Sequence, residues 1–242
     1  MIHDSRVIII GGSKEHASDN AIREIRSRSG TPEIDVIGTL EFKFQFGRCL
    51  NYNGTSYVCF DSNDHDLCRT TTDLNSFSAI ARTDGDHFGG DVVIHGGVPV
   101  GIGGTFNMDG SVEVLSGGRW NSDAVGALGS QLTLFSVLSI DDSIYVFGGL
   151  IWRSKRASPD GHVEDLGVKG TSWRPSTDVW RYKNSSWSKL GDEYRLRGAK
   201  YLHRTIRWND DVIHVGGCMT IQSRREITYP DDCAVRYVSN SR

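Results

Sequence analysis

Four short apolar runs in this chain end in a pair of glycines: VIIIGG (Val7–Gly12), PVGIGG (Pro99–Gly104), SIYVFGG (Ser143–Gly149) and VIHVGG (Val212–Gly217). One such phrase is a strand entering a turn. Four of them require a repeated structural unit, and a repeat dictates the fold before any motif does. Gly104, Gly149 and Gly217 lie 45 and 68 residues apart, and Gly12 precedes Gly104 by 92, or two units of 46. A degenerate unit is therefore expected near residue 60, where TSYVCFD (Thr55–Asp61) has the same β-rich approach with Cys59 and Phe60 in place of the glycines. The long interval holds Leu150–Arg174, polar and without periodicity, which reads as a loop insertion over 150–176.

Each unit has further parts. An apolar-polar stretch precedes the glycines: LEFKFQF (Leu40–Phe46), DVVIHGG (Asp91–Gly97), LTLFSVL (Leu132–Leu138) and LHRTIRW (Leu202–Trp208). After the glycines and a polar loop come AIREI, LCRTT, SVEVL, TDVWRY and CAVRYV, and in most units a last piece: EIDVIG, SFSAIAR, GRWNSD or SSWSKLG. Short strands at this spacing predict four-stranded antiparallel sheets, and no segment keeps a helical period. The chain is expected to be all-β.

The stretch DVWRYKNSSWSKLG…YLHRTIRWNDDVIHVGG (Asp178–Gly217) resembles a kelch repeat, with Tyr182 on its third strand, Trp187 on its fourth and a di-glycine closing its second. The resemblance runs along the whole chain and is clearest in the fourth and fifth units. It implies a β-propeller, one blade per repeat, with about five blades over residues 1–38, 39–83, 84–125, 126–195 and 196–242. Gly11, Gly12, Gly103, Gly104, Gly148, Gly149, Gly216 and Gly217 are then structural, where blades crowd and a Cβ would collide. The first unit is expected to begin at its second strand and the last to end after its third. The missing strands would come from the rest of a longer chain, from a partner, or be lacking from an irregular ring.

Cys59 and Cys68 straddle one predicted hairpin, and Cys218 and Cys233 another, which suggests disulfides within blades and an oxidising compartment. Unpaired buried thiols are the alternative, and Cys49 is left over either way. Two sequons, Asn53-Gly-Thr55 and Asn184-Ser-Ser186, fall in predicted hairpin loops and agree with an extracellular or secreted location; a cytoplasmic one is the alternative.

The search for chemistry is negative. The eight histidines form no paired ligand spacing, and no phosphate loop, dinucleotide fingerprint or serine-nucleophile elbow is present. No catalytic residue, cofactor or metal site is assigned. DSNDHD (Asp61–Asp66) has the carboxylates of a calcium loop without its glycine and glutamate, and reads as a solvated acidic tip. A net charge of −3 argues against nucleic acid, and no apolar run reaches membrane-spanning length.

The loops joining second to third strands, over residues 13–20, 61–66, 105–110, 150–176 and 219–232, share one face in the kelch family. Two of them carry the aromatic and arginine residues that dominate interfaces. Trp152, Arg153, Lys155, Arg156 and Trp173 lie in one, Arg224, Arg225 and Tyr229 in the other. The expectation is a non-catalytic binding module whose partner is another protein or a glycan. Rival readings are an intracellular substrate-recognition domain of a ubiquitin-ligase adaptor, and a kelch-like oxidase or sugar mutarotase.

Overall fold

The computed structural model describes residues 2–3, 6–14, 17–28, 31–104, 110–122, 125–152, 173–208, 211–218 and 238–239. The chain divides into two compact units, residues 1–107 with 111–126, and residues 108–110 with 127–242.

The first unit contains three antiparallel sheets, each with its strands in chain order. One is β1 (Ile2–His3), β2 (Arg6–Lys14), β3 (Ala17–Arg28) and β4 (Thr31–Thr39). The next is β5 (Arg48–Tyr52), β6 (Thr55–Cys59), β7 (Cys68–Thr71) and β8 (Ser78–Ala79). The third is β9 (Asp91–His95), β10 (Val98–Ile102), β11 (Val112–Ser116) and β12 (Arg119–Asn121).

The second unit contains β13 (Leu132–Thr133), β14 (Ser136–Ile140), β15 (Ser143–Phe147), β16 (Leu150–Trp152), β17 (Trp173–Pro175), β18 (Val179–Lys183) and β19 (Ser186–Lys189). A four-stranded sheet runs β14-β15-β18-β19, and a smaller one runs β13-β16-β17. The last sheet is β20 (Arg204–Trp208), β21 (Asp211–Val215) and β22 (Val238–Ser239). The only helical element among the described residues is a 3₁₀ turn at Asp192–Tyr194. The all-β expectation holds.

Strands β10 and β15, each the second strand of its sheet, are buried on both faces. Ile144, Val146 and Phe147 of β15 are all buried, as are Val100 and Ile102 of β10. Two-sided burial explains why these strands read as continuous apolar runs and not as alternation. Strand β2 differs. Ile8 and Ile10 join Ile22, Leu40, Phe44, Val58 and Leu74 in a core shared with the second sheet. Its other face stays uncovered, with Val7, Ile9, Ile34 (60% exposed) and Val36 (66% exposed) facing outward.

Gly148 and Gly149 show why two glycines end the second strand. Both have positive φ, 59° and 88°. A Cβ on Gly148 would stand 2.7 Å from the Lys200 carbonyl oxygen, on the approach to the next sheet. A Cβ on Gly149 would stand 2.7 Å from Phe135 Cβ and from the Thr133 carbonyl oxygen, on the approach to its own sheet. The pair wedges the end of β15 between two lead-in segments where no side chain fits.

Several expectations are corrected. Phe60 has φ 61°, matching Gly103 at 57° and Gly148 at 59°. The degenerate pair is therefore Phe60–Asp61 and not Cys59–Phe60. A left-handed L-residue costs about 1–2 kcal/mol. Burying a phenylalanine returns about 2–3 kcal/mol, and the Phe60 ring packs at 4.7 Å from His87 and 6.0 Å from Trp120. Gly101 makes room for it, since a Cβ there would meet the ring at 2.9 Å.

Leu40–Phe46 forms no strand; the first strand of that sheet is β5, and Phe46 stands before it at φ 61°. LTLFSVL is likewise split at Leu134 (φ 54°) into β13 and β14. The first sheet does have a first strand, because Ile2 pairs with Val7 in a short β1. At Gly11–Gly12 the strand does not stop: the register shifts between Ile10 and Gly12 and pairing with β3 continues to Lys14. Residues 13–14 and 17–20 of the expected loop 13–20 therefore belong to β2 and β3. In the last sheet, residues 233–237 of the expected third strand lie outside the described residues.

Cys59 and Cys68 face each other in register and form a disulfide, with Cα atoms 4.0 Å apart. Cys218 is also disulfide-bonded; Cys233, its expected partner, lies outside the described residues. Cys49 is not disulfide-bonded and packs beside the first core. Asn53 and Asn184 sit in exposed two-residue turns, at φ 49° and 52°.

Candidate functional site

The start and end of the expected loop 150–176 are a β-ribbon, not a loop. Leu150 pairs with Pro175, Ile151 with Arg174 and Trp152 with Trp173. Strand β13 pairs with the other edge of β16, and the Trp152 N–H donates to the Gln131 carbonyl at 3.0 Å. The ribbon is rooted by Leu150, which is buried, and by the Ser176 N–H donating to the Gly149 carbonyl at 2.8 Å. At its outer end the two indoles meet edge to face, with centroids 5.2 Å apart and planes at 69°. Trp152 is 38% exposed. Cross-strand aromatic pairs of this kind stiffen a ribbon and present a rigid apolar surface. Arg153, Lys155, Arg156, Arg224, Arg225 and Tyr229 lie outside the described residues.

Basic side chains collect at the ribbon's foot. A polar cavity of about 240 Å³ is lined by Arg174, Ser176, Asp178, Lys189 and Arg195 among others. Asp178 is its buried anion: Lys189 Nζ stands 2.9 Å and Arg195 Nε 3.5 Å from its carboxylate. Its own N–H donates to Ser176 Oγ at 3.0 Å. Lys189 and Arg195 thus share the Asp178 carboxylate, Arg195 also pairs with Asp192, and Arg174 lines the same cavity. Behind it, Tyr182 and Trp187 face each other across β18 and β19, with rings 5.3 Å apart.

Deeper in the same unit, His214 is 3% exposed and its Nδ1 lies 2.9 Å from Thr205 Oγ1. Its ring meets Phe147 at 5.1 Å and His203 at 5.7 Å. Burial, reinforced by the Lys200 charge, pushes its pKa down to about 4, so the imidazole is neutral near pH 7. Below the ordinary histidine value the unfolded chain takes up a proton that the folded chain refuses. Stability is therefore full above pH ~6.5 and falls towards pH ~4, by about 2 kcal/mol at pH ~5. Urea unfolding at the two pH values, with an NMR titration of the His214 ring, measures this. A ring that titrates near 6.5 would contradict it.

In the first unit the acidic tip Asp61–Asp66 is tied down by arginines. Asp61 Oδ1 accepts the N–H groups of Asn63 (2.7 Å) and Asp64 (3.0 Å), and its Oδ2 accepts from Arg69 at 3.3 Å. Arg69 and Arg82 both reach Asp64, and Arg82 also pairs with Asp66. The Asp64 carboxyl is held below its usual range, chiefly by the hydrogen bond from Arg69. Arg69 stacks over Phe42 at 4.0 Å. These carboxylates have guanidinium partners already, so the tip is a cross-braced turn and not a solvated one.

Sequence reasoning missed one constellation altogether, the buried Glu113 and His87 of the first unit. Glu113 sits in the middle of β11 and accepts from the N–H groups of Asp84 (2.9 Å) and Gly85 (2.7 Å) and from His87 Nε2 (3.2 Å). Its partners are 26 to 29 residues away. A glutamate breaking the apolar run SVEVL was the only local signal.

No family model and no curated protein matches the chain. Among the 181 chains of solved structures that match it is the structure of YjhT, at 12% identity and a TM-score of 0.52, covering 83% of this chain and 85% of that one. At such identity the likeness is one of fold.

Proposed function

We propose that this chain is a kelch-type β-propeller acting as a non-catalytic, extracellular protein-binding module. The observation that carries the reading is the Trp152–Trp173 pair, held on a rigid ribbon beside a polar cavity lined by Arg174, Lys189 and Arg195. Tryptophan and arginine are the residues that most often dominate binding energy. The successive antiparallel sheets and the fold likeness to YjhT support the propeller. The uncovered apolar face of the first sheet supports it further, being a surface that another sheet would cover. The Cys59–Cys68 disulfide and the exposed turns bearing Asn53 and Asn184 support the extracellular location.

The test is an array of cell-surface and secreted ectodomains probed with the purified chain. Saturable binding is expected, weakened about tenfold or more by Trp152→Ala with Trp173→Ala in a variant that still unfolds cooperatively. Binding that the double variant keeps would remove the aromatic pair from the interface. Thiol titration of the denatured, unreduced chain tests the compartment: a single free thiol, that of Cys49, is expected. Five free thiols would place the protein in a reducing compartment.

A further inference from the structure

The second unit also holds a cavity of about 570 Å³, within the size range of small-molecule sites. Its floor is apolar, formed by Phe147 from β15, Val179 from β18, Val212 from β21 and Leu196 from the segment that follows the 3₁₀ turn.

Two observations distinguish it from a plain packing gap. The first is His214, which lines the cavity although it is almost wholly buried. Nδ1 is engaged by Thr205, while Nε2 has no hydrogen-bond partner among the described residues. Nε2 does not belong to the fully buried side-chain atoms that lack a partner, so it is reachable from the cavity that His214 lines, where a ligand atom would take the place of water. The second is charge. Arg195, Arg197 and Glu193 all line the cavity, and Lys200 is close enough to His214 to disfavour its protonation. Arg195 is already engaged by Asp178 and Asp192. Arg197 is exposed and has no ion-pair partner among the described residues. An apolar chamber with a neutral hydrogen-bonding group inside and a spare guanidinium at its rim suits a molecule that is apolar in its body and anionic at one end.

We propose that this cavity binds a small organic acid. Its aliphatic or aromatic body packs against Phe147, Val179 and Val212, its anionic group meets Arg197, and a polar atom meets His214 Nε2. The proposal does not depend on the protein-binding reading, because it concerns a chamber and not the ribbon.

The test uses the full chain at neutral pH and two fluorescent probes of one aromatic skeleton. These are 1-anilinonaphthalene-8-sulfonate and N-phenyl-1-naphthylamine, which lacks the sulfonate. The sulfonate probe is expected to saturate at a single site. Val212→Trp, which fills the chamber, should weaken both probes about tenfold or more. Arg197→Glu should weaken the sulfonate probe about three- to fivefold and leave the neutral probe unchanged. Because Arg197 is exposed, that second variant remains informative even if Val212→Trp fails to fold. Absence of saturable binding, or sulfonate binding that is indifferent to Arg197→Glu, overturns the proposal. So does equal weakening of both probes by that substitution.

Discussion

Replacing Glu113 with alanine is expected to destabilise the protein by about 3–5 kcal/mol, because it strands several buried groups that share its carboxylate as their acceptor, at about 1–3 kcal/mol each. Glu113 and His87 are both fully buried. His87 Nδ1 lies 2.6 Å from the Gly103 carbonyl oxygen, and Nε2 lies 3.2 Å from Glu113 Oε1. A carbonyl only accepts. The carboxylate already takes the N–H groups of Asp84 and Gly85 and, when ionised, also only accepts. Both ring nitrogens of His87 therefore face acceptors, the Gly103 carbonyl on one side and the Glu113 carboxylate on the other. Removing the carboxylate leaves the His87 ring and the Asp84 and Gly85 N–H groups without their acceptor.

Burial pushes the Glu113 carboxyl up, but the hydrogen bonds from His87, Asp84 and Gly85 together outweigh it and hold the group below its usual range. The sign follows from a lowered folded pKa. The contribution is present above the ordinary carboxylate value and is lost as pH falls through the folded one. Glu113→Gln keeps one acceptor and should cost less than alanine. Urea denaturation of both variants at neutral pH measures these losses. A loss under about 1 kcal/mol for alanine would mean that the pair is not buried in solution.

The strands most legible in the sequence were those with the most burial. SIYVFGG and PVGIGG are pressed on from two sides, so their apolar runs are dense and end at glycines that nothing else can replace. Leu40–Phe46 misled for a related reason. Its phenylalanines alternate as in a strand, yet alternation reports burial and not hydrogen bonding. Phe44 is a core residue in irregular backbone, lying against Gly47, where a Cβ would stand 2.4 Å from its ring. Trp152 and Trp173 were recognisable as interface types, but only the ribbon's register brings them together across the stretch that separates them. Glu113 was invisible because its meaning lies in a loop some 28 residues upstream, and one-dimensional patterns do not report distant partners.

Gly149→Ala is expected to cost about 3 kcal/mol, combining a left-handed backbone penalty of about 1–2 kcal/mol with overpacking that no rotamer can relieve. The added methyl would face Phe135 Cβ and the Thr133 carbonyl oxygen, both at 2.7 Å, and Phe135 Cα at 3.0 Å. These atoms belong to the backbone or sit directly on it, so relief requires the lead-in to β14 to move. That lead-in is fixed in turn, because the Leu134 carbonyl accepts the Leu202 N–H at 2.8 Å and Ser136 Oγ accepts the Thr205 N–H at 2.8 Å.

Gly96→Ala supplies the control. Gly96 has nearly the same handedness, φ 57°, but nothing within 4 Å of its would-be Cβ. Its substitution should cost only the conformational part, about 1 kcal/mol. Denaturant midpoints of the two variants under one set of conditions make the comparison. If they lose equal stability, the glycine pairs would be no more than turn formers. If Gly149→Ala loses clearly more, Gly149, and with it Gly104 and Gly217, whose would-be Cβ atoms meet the lead-ins of their own sheets in the same way, mark the point where a strand end is pressed against that lead-in.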